Sequence, residues 1–231
     1  MKNKLKIEDL FKAGAHFGHR TNRWHPKMKE YIHSSKKGIY LIDLNQTQEA
    51  LDRACDYIQK LIKEDKSVLF VGTKNQVKVP MRAMAEETGM PYIVGKWLGG
   101  YITNFTVVKK SIKKYQDLLA QKEAGTLDKY NKKERLDIDR EIKKLEARVG
   151  GLANLNKLPD ALFIWDLKQE EIAIEEARAK NIPLIGICDT NVDPTLLNYP
   201  IPANDDSSKT VKLILDFVKD AILEAKKEIK K

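Results

Sequence analysis

Three groups of residues in this 231-residue chain have types and spacings that could do chemistry. The first is Gly72-Thr-Lys-Asn75, which follows the apolar run ending at Val71 and precedes a helical pattern. That is the position at which α/β proteins hold phosphates. It lacks both GxxxxGK[ST] and GxGxxG, and Leu98-Gly-Gly100 is likewise too short to cradle a phosphate. The second group is two acidic loops, Asp189-Thr-Asn-Val-Asp-Pro194 after Cys188 and Pro202-Ala-Asn-Asp-Asp206, both expected at the carboxyl edge of a sheet. Their carboxylates could hold magnesium or act as acid and base. Turn chemistry is the favoured alternative: Asx turns, an Asp-Pro turn, and Asp205, Asp206 or Ser207 capping the last helix. The third group is the four histidines, His16, His19, His25 and His33. His16 and His19, at i and i+3, could share a side and take zinc with an acid from elsewhere, which makes His16, His19, Asp189 and Asp205 the candidate metal ligands. There is no HExxH pattern and no cysteine nearby, so polar contacts to backbone or RNA suit these histidines better than a metal. No cofactor is expected.

All four histidines fall in or near Gly14–Lys29, a stretch that interleaves Phe17, Trp24 and Tyr31 with Arg20, Arg23, Lys27 and Lys29. Cations neutralise phosphates and flat rings stack on unpaired bases, although each ring could equally pack on the protein. The chain has 42 Lys and Arg against 33 Asp and Glu, a formal charge of +9. Residues 1–40 hold ten cations against three acids, and residues 101–150 hold thirteen against eight. Residues 41–100 balance, and 151–231 carry an acidic excess. So uneven a distribution is the footprint of a polyanion binder rather than a solubility charge. The candidate RNA contacts are Arg20, Arg23, Trp24, Lys27, Lys29, Lys36 and Lys37, then Lys96, then Lys109, Lys110, Lys113 and Lys114. In the last group like charges stand at i,i+4, a repulsion that a phosphate backbone would offset.

The elements that position these residues follow from hydrophobic periodicity. Strands are expected at Ile39–Leu44, Val68–Val71, Tyr92–Val94, Ala161–Trp165, Leu184–Cys188 and Tyr199–Ile201, several of them continuously apolar as in strands buried on both faces. Helical stripes run through Leu51–Ile62, Ile172–Ala179 and Val211–Ile222. Alternating strands and helices predict a doubly wound parallel α/β sheet. Phe105, Val108, Ile112, Tyr115 and Leu119, and then Ile138, Ile142, Leu145 and Val149, step by threes and fours. They predict an inserted antiparallel coiled-coil helical hairpin at 101–150. The expected organisation is a basic RNA-contacting segment at 1–36, an α/β domain from 37–100 and 151–231, and the hairpin between them. Pro80 suits a first helical turn. Cys55 and Cys188 sit in apolar patterns, as reduced thiols of a cytosolic protein would. No apolar run approaches a membrane span, and the first residues lack a signal peptide's apolar core.

Seven ordered motifs resemble the bacterial small-subunit ribosomal protein S-two family. They are Gly14-Ala-His-Phe-Gly-His19 with Trp24-His-Pro-Lys-Met28, Gly72-Thr-Lys74, Trp97-Leu-Gly-Gly100 with Thr103-Asn-Phe105, Gly150-Gly151, Leu158-Pro-Asp-Ala161, Asp189-Thr-Asn191 with Asp193-Pro194, and Ile201-Pro202 with Asn204-Asp-Asp206. The resemblance implies a flavodoxin-like (Rossmann-like) sheet with an inserted hairpin. It implies a non-enzymatic place in the ribosome, rRNA binding near the head–body junction, and help in docking the S-one protein. Neighbouring ribosomal proteins are the expected protein partners, with no membrane and no second copy of the chain. Lys96 stands where the family usually has Arg, and Gln76–Pro80 is atypical, which puts the helix start there in doubt. The alternative from the residues alone is an α/β nucleotide- or metal-binding enzyme using the loops after Val71 and Cys188.

Overall fold

The computed structural model describes residues 5–129 and 131–229, with the side chains of 128 and 129 left out; residues 1–4 of the basic segment and 230–231 of the α/β domain lie outside it. After α1 (Ile7–Ala13) come three short strands, β1 (Phe17–Arg20), β2 (Ile32–Lys36) and β3 (Ile39–Ile42), in an antiparallel sheet of order β1-β3-β2. α2 (Leu44–Lys63) leads to β4 (Val68–Val71), α3 (Asn75–Thr88) and β5 (Tyr92–Ile93). The helices α4 (Phe105–Glu123) and α5 (Lys132–Val149) follow, then β6 (Ala161–Trp165), α6 (Glu171–Ala179), β7 (Leu184–Cys188), β8 (Tyr199–Pro202) and α7 (Ser208–Ile229).

The five later strands form one parallel sheet of order β5-β4-β6-β7-β8. Renumbered within the sheet this is 2-1-3-4-5, the flavodoxin-like order, whose direction reverses between β4 and β6. Strands β4, β6 and β7 are buried along their whole length, which is why they are apolar without alternation. Phe70, Phe163, Trp165 and Ile187 pack on one face with α2, α3 and α7. Leu69, Val71, Leu162, Ile164 and Cys188 pack on the other with α6 and the α4–α5 pair. The seam residues Ile112, Tyr115, Ile142, Leu145 and Val149 belong to that second cluster, so the inserted helices share a core with the sheet. Lys114–Glu141 at 2.9 Å and Lys122–Asp139 at 2.7 Å also link the two helices.

Three expectations are corrected. The run Ile39–Leu44 is not a strand of the parallel sheet: Ile39–Ile42 is β3 of the small sheet, and Leu44 opens α2 because the Asp43 side chain accepts from Asn45 N. The strands β1 and β2 stand beyond those expected from apolar runs. Pro80 lies inside α3 rather than in its first turn, because the Lys74 carbonyl already accepts from Val77 N and Lys78 N. Its ring forgoes one helical bond, offset by burial of Val77, Met81 and Met84 around it.

No helix among the described residues is long and apolar enough to cross a membrane. At the sheet's centre, β7 passes β6 so closely at Gly186 that a Cβ would lie 2.8 Å from the Ile164 carbonyl oxygen and 3.0 Å from Leu197 Cδ1. Gly186→Ala is expected to destabilise the protein by about 1–3 kcal/mol. Urea unfolding should show a lowered midpoint with an unchanged slope.

Candidate nucleic-acid interface

The carboxyl edge of the parallel sheet, where an α/β enzyme keeps its site, is occupied by the chain's own side chains. Lys74 Nζ lies 3.0 Å from Asp166 Oδ2, 2.7 Å from Asp206 Oδ1 and 2.9 Å from Asp205 Oδ1, the last an ion pair without an aligned hydrogen bond. Burial, with Asp189's charge behind it, pushes the Asp205 carboxyl up to about 7 against the pull of Lys74. Burial alone would lower the Lys74 pKa, but its carboxylates outweigh that and hold it raised. Thr73 gives both its backbone N–H and its hydroxyl to the buried Glu170. The Thr73 donors and the Lys74 ammonium, which a phosphate would need at Gly72–Asn75, are therefore spent on carboxylates, and Gly72 N donates to the Ile93 carbonyl.

The acidic loop after β7 grips the N-terminal segment. His19 N donates to Thr190 Oγ1 at 2.7 Å, His25 N donates to the Thr190 carbonyl at 2.7 Å, and His19 Nδ1 lies 3.0 Å from Asp189 Oδ1. The Asn191 amide reaches His19 Nε2 at 3.2 Å. Gly18 lies against the Thr190 side chain: a Cβ there would come within 2.8 Å of Thr190 Oγ1, so glycine is what leaves room for that side chain. The loop after β8 holds the preceding turn, with Asn204 donating to Gly14 O and Ala15 O, and Ser207 and Thr210 both donating to Ala13 O. Ser207 Oγ also accepts from Thr210 N as a cap on α7, and Asp193 caps the turn at Pro194. Turn chemistry thus accounts for these loops.

The candidate metal ligands do not converge. His19 meets Asp189, whereas the His16 ring stacks on Phe11 and Asp205 is held by Lys74. His25 accepts from Lys27 N, and the exposed His33 meets Ser34. Among the described residues no group of three or more His, Cys, Asp or Glu is arranged to hold a metal ion.

The basic candidates fall into two sets. Arg20, Arg23, Lys29, Lys36, Lys37, Lys96, Lys109, Lys110 and Lys113 are exposed. Lys36 and Lys37 lie at the β2–β3 turn, where Lys37 and Gly38 both take positive φ. Lys27 instead reaches Asp193 Oδ2 at 2.7 Å and Thr195 Oγ1 at 2.9 Å, and Lys114 pairs with Glu141. Trp24 is half-buried against the Tyr40 ring, centroids 5.1 Å apart, and Tyr31 packs beside the second core cluster. Phe17 alone of the three rings faces solvent.

Glu176 is a positioning residue that sequence reasoning misses. Buried on α6, it accepts from Trp97 Nε1, Gly100 N, Ile102 N, Thr103 N and Thr103 Oγ1 at 2.7–3.1 Å. It gathers the whole Trp97–Thr103 turn from which α4 departs. The available signal was a carboxylate among Ala173, Ile174 and Ala177, the buried stripe of α6. Burial raises its pKa, but the backbone N–H groups of Thr103, Gly100 and Ile102 outweigh that, and the net shift is downward.

A model of the family described as "Ribosomal protein S2" matches residues 10–225 of this chain. A protein named "Small ribosomal subunit protein uS2" from Coprothermobacter proteolyticus is 47% identical over 222 residues, covering 96% of this chain and 83% of the relative. Proteins of the same name from Chloroherpeton thalassium and Marinobacter nauticus are 46% and 44% identical, each over 96% of this chain and 89% of the relative.

The carboxylate grips can be tested through stability. Glu176→Ala leaves several buried donors unpaired and is expected to cost about 3 kcal/mol, read as a lowered urea midpoint. The Glu176 contribution is present above the ordinary glutamate pKa and is lost as pH falls through the lowered one, so the wild-type advantage over Glu176→Ala should shrink in acid. His19 behaves in the opposite sense. The Asp189 carboxylate raises its pKa despite burial, so its contribution is full below the ordinary value of 6.5 and disappears as pH rises through the raised one. Unfolding of wild type and His19→Gln between about pH 6 and about pH 8.5 should show the two stabilities converging at the alkaline end.

Proposed function

The chain belongs to the ribosomal protein S2 family, and on that premise we propose that it binds small-subunit rRNA near the head–body junction and helps dock the S-one protein. It is a structural constituent of the small ribosomal subunit, not an enzyme. It works in the cytoplasm within the ribosome, with rRNA and ribosomal proteins as its partners.

The observation that carries the rRNA reading is the segregation of charge. The acids of the sheet edge turn inward onto Lys74, His19 and Lys27. The exposed Arg20, Arg23, Lys29, Lys36, Lys37, Lys96, Lys109, Lys110 and Lys113 make no ion pair among the described residues. Nine cations held apart from the chain's own acids suit a phosphate backbone. The nucleotide-binding alternative loses support because Thr73 and Lys74 already serve Glu170 and three aspartates. The head–body location and the S-one contact rest on the family resemblance. No membrane and no second copy of the chain enter the reading.

Sedimentation of the tagged chain through a sucrose gradient in native lysate should place it with small subunits; its absence from them would overturn the proposal. Changing Arg20, Arg23 and Lys29 to Ala, and separately Lys109, Lys110 and Lys113, should weaken rRNA association. Each phosphate that is no longer neutralised flattens the log–log salt dependence by about 0.7–0.9. An unchanged slope would place the interface on other residues.

A further inference from the structure

We propose that the groove between α3 and α5, beside β5 at the edge of the parallel sheet, binds the sugar-phosphate backbone of one rRNA strand; this deepens the rRNA-binding reading above and rests on it. The groove has a volume of about 590 Å³. Lys78 and Arg82 of α3 stand on one wall, and Lys143 and Arg148 of α5 on the other. Tyr92, Gly95 and Gly150-Gly151 line the space between them. None of these four cations belongs to the runs that mark the N-terminal segment and α4, because only the fold brings α3 and α5 together.

The Arg82 guanidinium is already oriented. Glu86 Oε1 accepts from Arg82 Nε at 2.7 Å and from the Tyr92 hydroxyl at 2.8 Å. So exposed a pair adds little to stability, and its effect is to hold one edge of the guanidinium. The two terminal NH2 groups make no hydrogen bond among the described residues. They form the planar fork that meets a phosphate bidentately. Across the groove Lys143 and Arg148 are exposed and make no ion pair among the described residues, and Lys78 meets only the neutral Asn75 side chain, at 3.1 Å. A Cβ on Gly95 would stand 3.3 Å from the Ala147 carbonyl oxygen, so the sheet edge and α5 approach closely where no side chain intervenes.

The lining carries four cations against two acids, and one of those acids, Glu86, is engaged with Arg82 and Tyr92. Only Glu146 opposes an incoming anion without such a partner. A docking protein needs a contiguous apolar surface of several hundred Å², which this charged groove does not offer. A stacked base needs a free ring, but Tyr115 is buried in the second core cluster and Tyr92 is half-buried and tied to Glu86. Cations on both walls with no ring to read a base suit a phosphodiester chain gripped without regard to sequence.

The test rebinds the full chain to small subunits purified without it, probing the rRNA backbone by hydroxyl radicals and the bases by dimethyl sulfate. Arg82→Gln with Lys143→Gln and Arg148→Gln should flatten the log–log salt slope by about 2 and abolish protection along one stretch of backbone, with base reactivity unchanged. Arg82→Lys, which keeps the charge and loses the fork, should weaken association about threefold or more at an unchanged slope. Glu146→Gln should tighten association about twofold at low salt, a gain that no folding defect produces. A triple variant with the wild-type slope and protections overturns the groove and leaves rRNA binding through the other cations standing. Inorganic tripolyphosphate titrated into the free chain is the second arm. If it binds wild type and not the triple variant, while the rRNA protections of the two are the same, the groove belongs to a free oligophosphate and the proposal is overturned. Absence of any rRNA protection by wild type overturns both readings.

Discussion

The ammonium of Lys74 sits where β4 and β6 diverge, the place at which a flavodoxin-like sheet opens a crevice for a ligand. Asp166 and Asp205 are buried around it, and Asp206 closes over it from the surface. Taking a carboxylate out of water costs several kcal/mol unless an opposite charge answers it, so this edge cannot be emptied and remain folded at low cost. Asp205, caught between Lys74 and the negative charge of Asp189, shows the tension in its raised pKa. The crevice is filled with the chain's own charge, and what another α/β protein would offer a substrate is here a structural tie.

The rim beyond Lys74 is put to a related use. Asp189, Thr190, Asn191 and Asp193 bind the backbone of β1, the His19 ring and Lys27. The basic N-terminal segment therefore has two sides: one consumed by the acidic loops, one carrying Phe17, Arg20, Lys29 and Lys36 into solvent. On α6 Glu176 acts in the same way, one carboxylate satisfying five donors of the turn that launches α4. Carboxylates of the acidic C-terminal part thus hold both of the chain's cationic elements. This gives a physical purpose to the charge asymmetry: the acids bind inward so that the cations remain available.

The two grips respond to protons in opposite directions. Glu176 holds the turn before α4 as a carboxylate, and the N–H donors around it outweigh burial and lower its pKa. His19 holds the N-terminal segment best when protonated, which the neighbouring aspartates favour.

Much of this protein is determined locally and could be read from the chain alone. Continuous apolar runs marked β4, β6 and β7 because burial on both faces removes any need for alternation. The seam of α4 and α5 was visible in steps of three and four, and the concentration of charge, with the ordered motifs, pointed to the family. Pairing between distant segments was not visible. β1 and β2 are polar and short, and become strands only because β3 lies between them; β3 itself looked like part of the main sheet because apolarity does not say which sheet a strand joins. Lys27 and Lys29 are two residues apart and chemically alike, yet one is paired with Asp193, 166 residues away, and the other is exposed and makes no ion pair among the described residues. Composition and periodicity fix how a segment behaves toward water. Which acid meets which base, and which ring stays in solvent, is decided only when the sheet edge brings residues 14–27 and 189–207 together.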